Sequence, residues 1–274
     1  MLKHSMARLL CLGSLVSLFL ACNVTACAET ATPTSGVDEG VPAEHIIVEE
    51  EIPTSSFTEN KVEKKIVYKT GWTADKVNVK KAPKQKAKNL GTYSFNKKIK
   101  YEKYNKKWVK VHYKKKIGYI EKKYIKNKKI KSTTYNVPKN RGYKCGEYYT
   151  AITSKSSPQY KLQHQYAYTG NYGIRMVNGR YCVAIGSYFK CTIGQYFTLV
   201  LKNGTKIECV KGDEKADKDT DYKNIFSGNG CMSEFLISKS LIPAARLMGD
   251  ISYCNEKWKS PVVKLIVYKK NAMK

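Results

Sequence analysis

Beyond residue 28 the sequence has no apolar run long enough to cross a bilayer, so no helical membrane span is expected there. Histidine is scarce, four in 274 residues, and no Cys-x-x-Cys or His-spaced pair occurs, which excludes the common zinc-ligand spacings. No metal and no other cofactor is expected. The more telling absences concern charge of one sign. Residues 29–60 carry eight acids and not one Lys or Arg, whereas residues 61–131 carry 26 Lys against four acids. The net charge of +28 thus comes mainly from one segment of 71 residues.

What is present begins with a compartment signal. Lys3 and Arg8 flank the start of an apolar run over residues 9–21, too short to span a membrane, and the pattern reads as a signal peptide over residues 1–28. Its end has two readings. Ala26-Cys27-Ala28 is a small-x-small cleavage site, which releases a secreted protein. Val24-Thr25-Ala26-Cys27 resembles a bacterial lipobox, which puts a lipid on Cys27 and holds the protein at the membrane's outer face. Membrane contact is expected only in the second case. Residues 29–69 have three separate prolines and few large apolar residues, and read as a flexible acidic linker.

Over residues 70–131 short strands alternate apolar residues with Lys: Val77-Asn78-Val79, Leu90-Gly91-Thr92-Tyr93, Ile99-Lys100-Tyr101, Trp108-Val109-Lys110-Val111-His112-Tyr113 and Ile117-Gly118-Tyr119-Ile120. Period-two alternation puts one face inward and the lysines outward, as in a small half-exposed barrel. Such a surface is either a merely solvated face or a positive field that attracts polyanions. An exported protein meets teichoic acids and anionic glycans before nucleic acid, so no nucleic-acid partner is expected. Tyr101, Trp108, Tyr119 and Lys110 are the candidate ligand-binding residues, the aromatics by stacking on sugar rings.

The run Val77-Asn78-Val79-Lys80-Lys81-Ala82-Pro83, with Leu90-Gly91, Lys107-Trp108-Val109-Lys110-Val111, Gly118-Tyr119-Ile120 and Tyr124-Ile125, resembles the bacterial SH3 (SH3b) domain. The resemblance implies a five-to-seven-stranded barrel and a role in targeting secreted proteins to peptidoglycan or another cell-surface polymer. The expected location is extracellular and wall-associated.

Residues 143–270 read as a second, mainly β domain. Arg180-Tyr181-Cys182-Val183-Ala184-Ile185-Gly186 is one strand, residues 196–201 and 206–210 form a hairpin about Asn203-Gly204, one short helix is expected over about 240–248, and residues 261–268 close the sheet. Cys145, Cys182, Cys191, Cys209, Cys231 and Cys254 all fall in this part. In an exported chain six cysteines favour disulfides of undetermined connectivity; six buried free thiols are the other reading.

The segment Gly212-Asp213-Glu214-Lys215-Ala216-Asp217-Lys218-Asp219-Thr220-Asp221 is an acidic exception in a basic chain. It reads as a calcium loop through Asp217, Asp219 and Asp221, as a site holding a general acid, or as a surface loop paired with lysines. Val183-Ala184-Ile185-Gly186, Gly194, the hairpin and Gly212-Asp213 in that order are similar to the double-psi β-barrels of wall-lytic proteins, the three-Asp domain and lytic transglycosylases. That resemblance implies peptidoglycan glycan-strand cleavage with Asp213 as acid and base, and Asp217, Asp219 and Asp221 in support. The other class of function is a non-catalytic, disulfide-braced adhesion domain. Ser227-Gly228-Asn229-Gly230-Cys231-Met232 also faintly resembles the Ser-His-Gly-Cys stretch of L,D-transpeptidases, but Asn229 stands where the activating His would be. Cys231 therefore reads as a disulfide partner or core residue.

Overall fold

The computed structural model describes residues 66–240 and 242–274. The signal peptide, Cys27 and most of the linker lie outside them. Alternating β-branched, tyrosine and lysine residues form β1 (Lys69–Thr73), β2 (Val77–Lys80), β3 (Asn89–Tyr93), β4 (Lys98–Lys103), β5 (Trp108–Tyr113), β6 (Lys116–Glu121) and β7 (Ile125–Lys126). They make one sheet in the order β3-β2-β6-β5-β4-β1-β7. Alternation sends Val77, Val79, Ile99, Val109, Val111 and Ile120 into a core and leaves every lysine of residues 66–131 exposed or half-buried. At about 1.5–3 kcal/mol per buried aliphatic side chain, six such residues make a modest core.

The second sheet contains β8 (Ser132–Asn136), β9 (Cys145–Tyr148), β10 (Tyr168–Thr169), β11 (Arg175–Val177), β12 (Arg180–Ile185), β13 (Gln195–Leu201), β14 (Lys206–Glu214), β15 (Glu234–Ile237) and β16 (Val262–Asn271). Its main path runs β10-β11-β12-β14-β13-β16-β8, and β15 joins β12 to β9. The pairings β12 with β14 and β15 with β9 are parallel. The β13–β14 turn uses Gly204 at φ 82°, a conformation open to glycine. The structure is mainly β, with short helices: α1 (Pro158–Lys161), capped by the Ser157 hydroxyl, which accepts from Tyr160 N–H at 3.1 Å, and α2 (Pro243–Met248), stopped by Gly249 at φ 63°. α2 lies where the sequence predicts a helix, whereas α1, with four residues, is too short to show a helical period.

Both sheets belong to one compact unit, residues 62–274. Phe95, from the loop after β3, leaves the first core and packs edge-to-face on Tyr196 and Tyr268, with centroids 5.6 and 4.9 Å away. The buried Arg180 guanidinium lies over both Phe95 (4.6 Å) and Tyr196 (4.4 Å). Tyr196 donates its hydroxyl to Asp75 at 2.9 Å, and Asn96 exchanges two hydrogen bonds with the Ile130 backbone at 3.0 and 2.9 Å.

The six cysteines described are free thiols, and all are buried. Cys182 packs in one apolar cluster of the second sheet, and Cys191, Cys209 and Cys254 pack in the other. These four act as small apolar side chains.

Candidate functional site

Strand register assembles a row that the sequence scatters. On β14 and β12, Asp213 pairs with Ala184, just after a register shift between Val183 and Ala184. Ala184 also pairs with Glu234 on β15, and Glu234 with Cys145 on β9. Asp213, Ala184, Glu234 and Cys145 therefore stand side by side across four strands, and Glu147, two residues along β9, follows on the same face. Gly212 lets the strands approach, since a Cβ there would come within 2.8 Å of Leu236 and 2.9 Å of Cys182. The row borders a cleft of about 530 Å³ that also takes in Glu214, Asp219, Ser227 and Asn229.

The carboxylates of this cleft have different surroundings. Glu234 is ion-paired with the buried Lys215 ammonium at 2.9 Å and accepts from the Ser227 hydroxyl at 2.8 Å. Lys215 also donates to Ser227 Oγ at 2.5 Å and to the Cys231 carbonyl at 2.6 Å. Among the described residues Asp213 makes no ion pair. Burial raises its carboxyl above the ordinary value, opposed by hydrogen bonds from the Glu214 backbone and the Gln159 side chain of α1 and by the charge of Lys211, and helped by the charge of Glu234. Partial burial first, then the charges of Glu234 and Asp213, also raise Glu147. A carboxyl raised above its ordinary value beside an ion-paired carboxylate is one arrangement in which general-acid chemistry can operate.

Of the predicted acidic residues, Asp213 and Asp219 reach the cleft. Asp217 accepts from the Ser187 hydroxyl at 2.7 Å, and Asp221 holds the backbone N–H groups of Ile225 and Phe226 at 2.7 and 3.1 Å, so both shape their loop. Among the described residues no group of three or more His, Cys, Asp or Glu is arranged to hold a metal ion. Glu147 and Glu234 were not singled out in the sequence, where each is an isolated acid in a strand. Among the described residues no aromatic ring borders the cleft, and His164 is stacked on Tyr160 at 3.9 Å.

The predicted ligand residues of the first sheet do not form one site. Lys110 and Tyr119 are cross-strand partners on an open face, with Lys110 paired to Glu102 at 3.3 Å and Tyr119 packed on Tyr104. Trp108 is 5% exposed, and Tyr101 packs against the core. A hollow of about 420 Å³ lies instead among Tyr68, Tyr93, Lys98, Lys100 and His112, where the Tyr68 hydroxyl and His112 Nε2 are 3.2 Å apart. Where the two sheets meet, Lys126, Lys128, Lys269 and Lys270 line a groove of about 650 Å³ whose lining contains no carboxylate side chain.

Comparison with known families agrees with the first sheet: residues 75–126 match the model of the bacterial SH3 domain. That segment is a bacterial SH3 domain embedded in a larger β protein. No curated protein matches the chain. No helix among the described residues is long and apolar enough to cross a membrane.

Proposed function

We propose that this is an exported bacterial cell-envelope protein whose SH3 domain binds peptidoglycan or an anionic wall polymer, and whose second sheet cleaves wall glycan at the Asp213 cleft. The binding half is supported by the SH3 match and by the lysines, which give the domain and the junction groove a positive field suited to phosphate- or carboxylate-bearing polymers. The observation that carries the cleaving half is Asp213 beside the ion-paired Glu234. Protonated Asp213 donates to the glycosidic oxygen as the C1–O bond breaks. The carboxylate left behind takes the proton of a sugar hydroxyl as that oxygen closes onto C1, which regenerates the acid and leaves an anhydro-sugar end. The two parallel pairings of the second sheet support the double-psi resemblance behind this route.

A binding-only role is favoured by one observation, the absence, among the described residues, of an aromatic ring from the cleft lining. Incubating the full chain with purified peptidoglycan separates the readings. Anhydro-ended products that fall about 10²–10⁴-fold in Asp213→Asn, with wall binding retained, support cleavage. Undiminished wall binding with no such products leaves an adhesion protein.

A further inference from the structure

Two of the six thiols stand apart from the rest. Cys145 and Cys231 belong to neither apolar cluster of the second sheet. Cys145 begins β9 and borders the acidic cleft; Cys231 ends the turn that leads into β15 and is fully buried behind it. The Cys145 backbone N–H donates to Cys231 Sγ at 2.9 Å, which places the second thiol beside the first residue, and the Cys231 thiol in turn donates to the Ser233 carbonyl at 3.2 Å. Asn229 Nδ2 lies 3.4 Å from Cys145 Sγ, and the Lys215 ammonium bonds the Cys231 carbonyl.

We propose that Cys145 and Cys231 are a dithiol–disulfide couple, with Cys145 as the attacking and Cys231 as the resolving thiol, forming a reversible staple in the wall of the acidic cleft. The step needs a disulfide-bearing oxidant. Cys145 thiolate attacks one sulfur of that disulfide and expels the other as a thiolate, which takes up a proton. Cys231, deprotonated, then attacks the Cys145 sulfur of the mixed disulfide and releases the second thiol. Two protein thiols are oxidised and one external disulfide is reduced to two thiols, so the exchange balances.

The environment supports that order of attack. Cys145 borders the cleft whereas Cys231 is fully buried, and the Cys145 thiol is lowered by side-chain hydrogen bonding with Cys231 and Asn229 and by the Lys215 charge, against burial and the Glu234 charge. Cys182 and Cys209, on neighbouring strands, face different apolar clusters, and burial raises both thiols. The disulfide would tie β9, which carries Glu147, to the turn that carries Ser227, and so close the cleft wall covalently across 86 positions of sequence. This inference is independent of the glycan-cleaving reading.

The test uses the full chain equilibrated with glutathione disulfide, then denatured in the presence of excess alkylating agent and digested with trypsin without reduction. Cleavage after Lys and Arg puts Cys145 in peptide 145–155 and Cys231 in peptide 224–239, each with no other cysteine. The expected result is these two peptides joined, two hydrogens lighter than their sum, while Cys182, Cys191, Cys209 and Cys254 are recovered alkylated. Oxidation should also raise Tm by several degrees, reversibly with dithiothreitol, because the staple restricts the unfolded chain. Cys231→Ser should leave Cys145 as its glutathione adduct. Recovery of both wild-type peptides alkylated after oxidation, or of Cys145 joined to any other peptide, overturns the proposal, and that mapping requires no variant to fold.

Discussion

Lysine does opposite work in the two sheets. In the SH3 domain every described lysine is exposed or half-buried, and the side chains add up to a field. In the second sheet Lys144, Lys211 and Lys215 are buried, and each has oxygen partners. Lys144 Nζ donates to the carbonyls of Gly142, Trp258 and Ser260 at 2.7, 2.6 and 3.1 Å; Lys211 Nζ reaches the Cys191 carbonyl at 2.7 Å and Glu214 at 3.0 Å. A charge count therefore says little about function until burial is known. An exposed ammonium is screened and replaceable, whereas a buried one holds loops that otherwise leave carbonyls without donors.

The largest effect that would break this contrast is expected at Lys144. Lys144→Met should cost about 3–5 kcal/mol in denaturant unfolding, since two buried carbonyls and one half-buried carbonyl lose their donor, while Lys86→Gln in the SH3 domain stays within about 0.5 kcal/mol. Equal losses at both positions would erase the distinction. Next comes the junction. Phe95→Ala should cost about 2–4 kcal/mol and uncouple the sheets, so that unfolding followed by SH3 tryptophans Trp72 and Trp108 no longer coincides with that of Trp258. Tyr196→Phe, which removes the hydroxyl shared by Asp75 and Asn178, should cost about 1 kcal/mol.

The smallest expected effect is a pH dependence in the second sheet. Asp213 has a folded-state pKa raised above its unfolded value, so the native state binds the proton more tightly. Stability from this group increases as pH falls through the folded pKa and is lost above it. Asp213→Asn should flatten that slope and stabilise the protein at neutral pH. Any glycan cleavage should decline as pH rises through the same window. A mutant that keeps the wild-type pH slope would place the titration elsewhere.

Much of the SH3 domain was legible because its strands alternate cleanly: Val109 and Val111 face in while Lys110 and His112 face out, and Asn203-Gly204 marks the later hairpin equally well. β1 and β7 were missed because Lys69–Thr73 and the two-residue Ile125–Lys126 have too little pattern. Asp213 stood out as an acid in a basic chain, but its neighbours did not. Glu147 and Glu234 lie 66 and 21 positions away and look like ordinary strand acids. The ligand candidates of the first sheet are divided by strand parity, which puts Tyr101 toward the core and Lys110 and Tyr119 on the open face.

By itself the sequence determined the division of charge, the mainly β class, the SH3 segment and the acidic loop, because these depend on composition and on a period of two along one strand. Tertiary structure alone decided which lysines are buried, that Phe95 joins the two sheets, and that Asp213, Glu234 and Cys145 share a row. The physical reason is that register between strands distant in sequence is nonlocal. Here it depends on one irregularity between Val183 and Ala184, and on parallel pairings that no local pattern encodes.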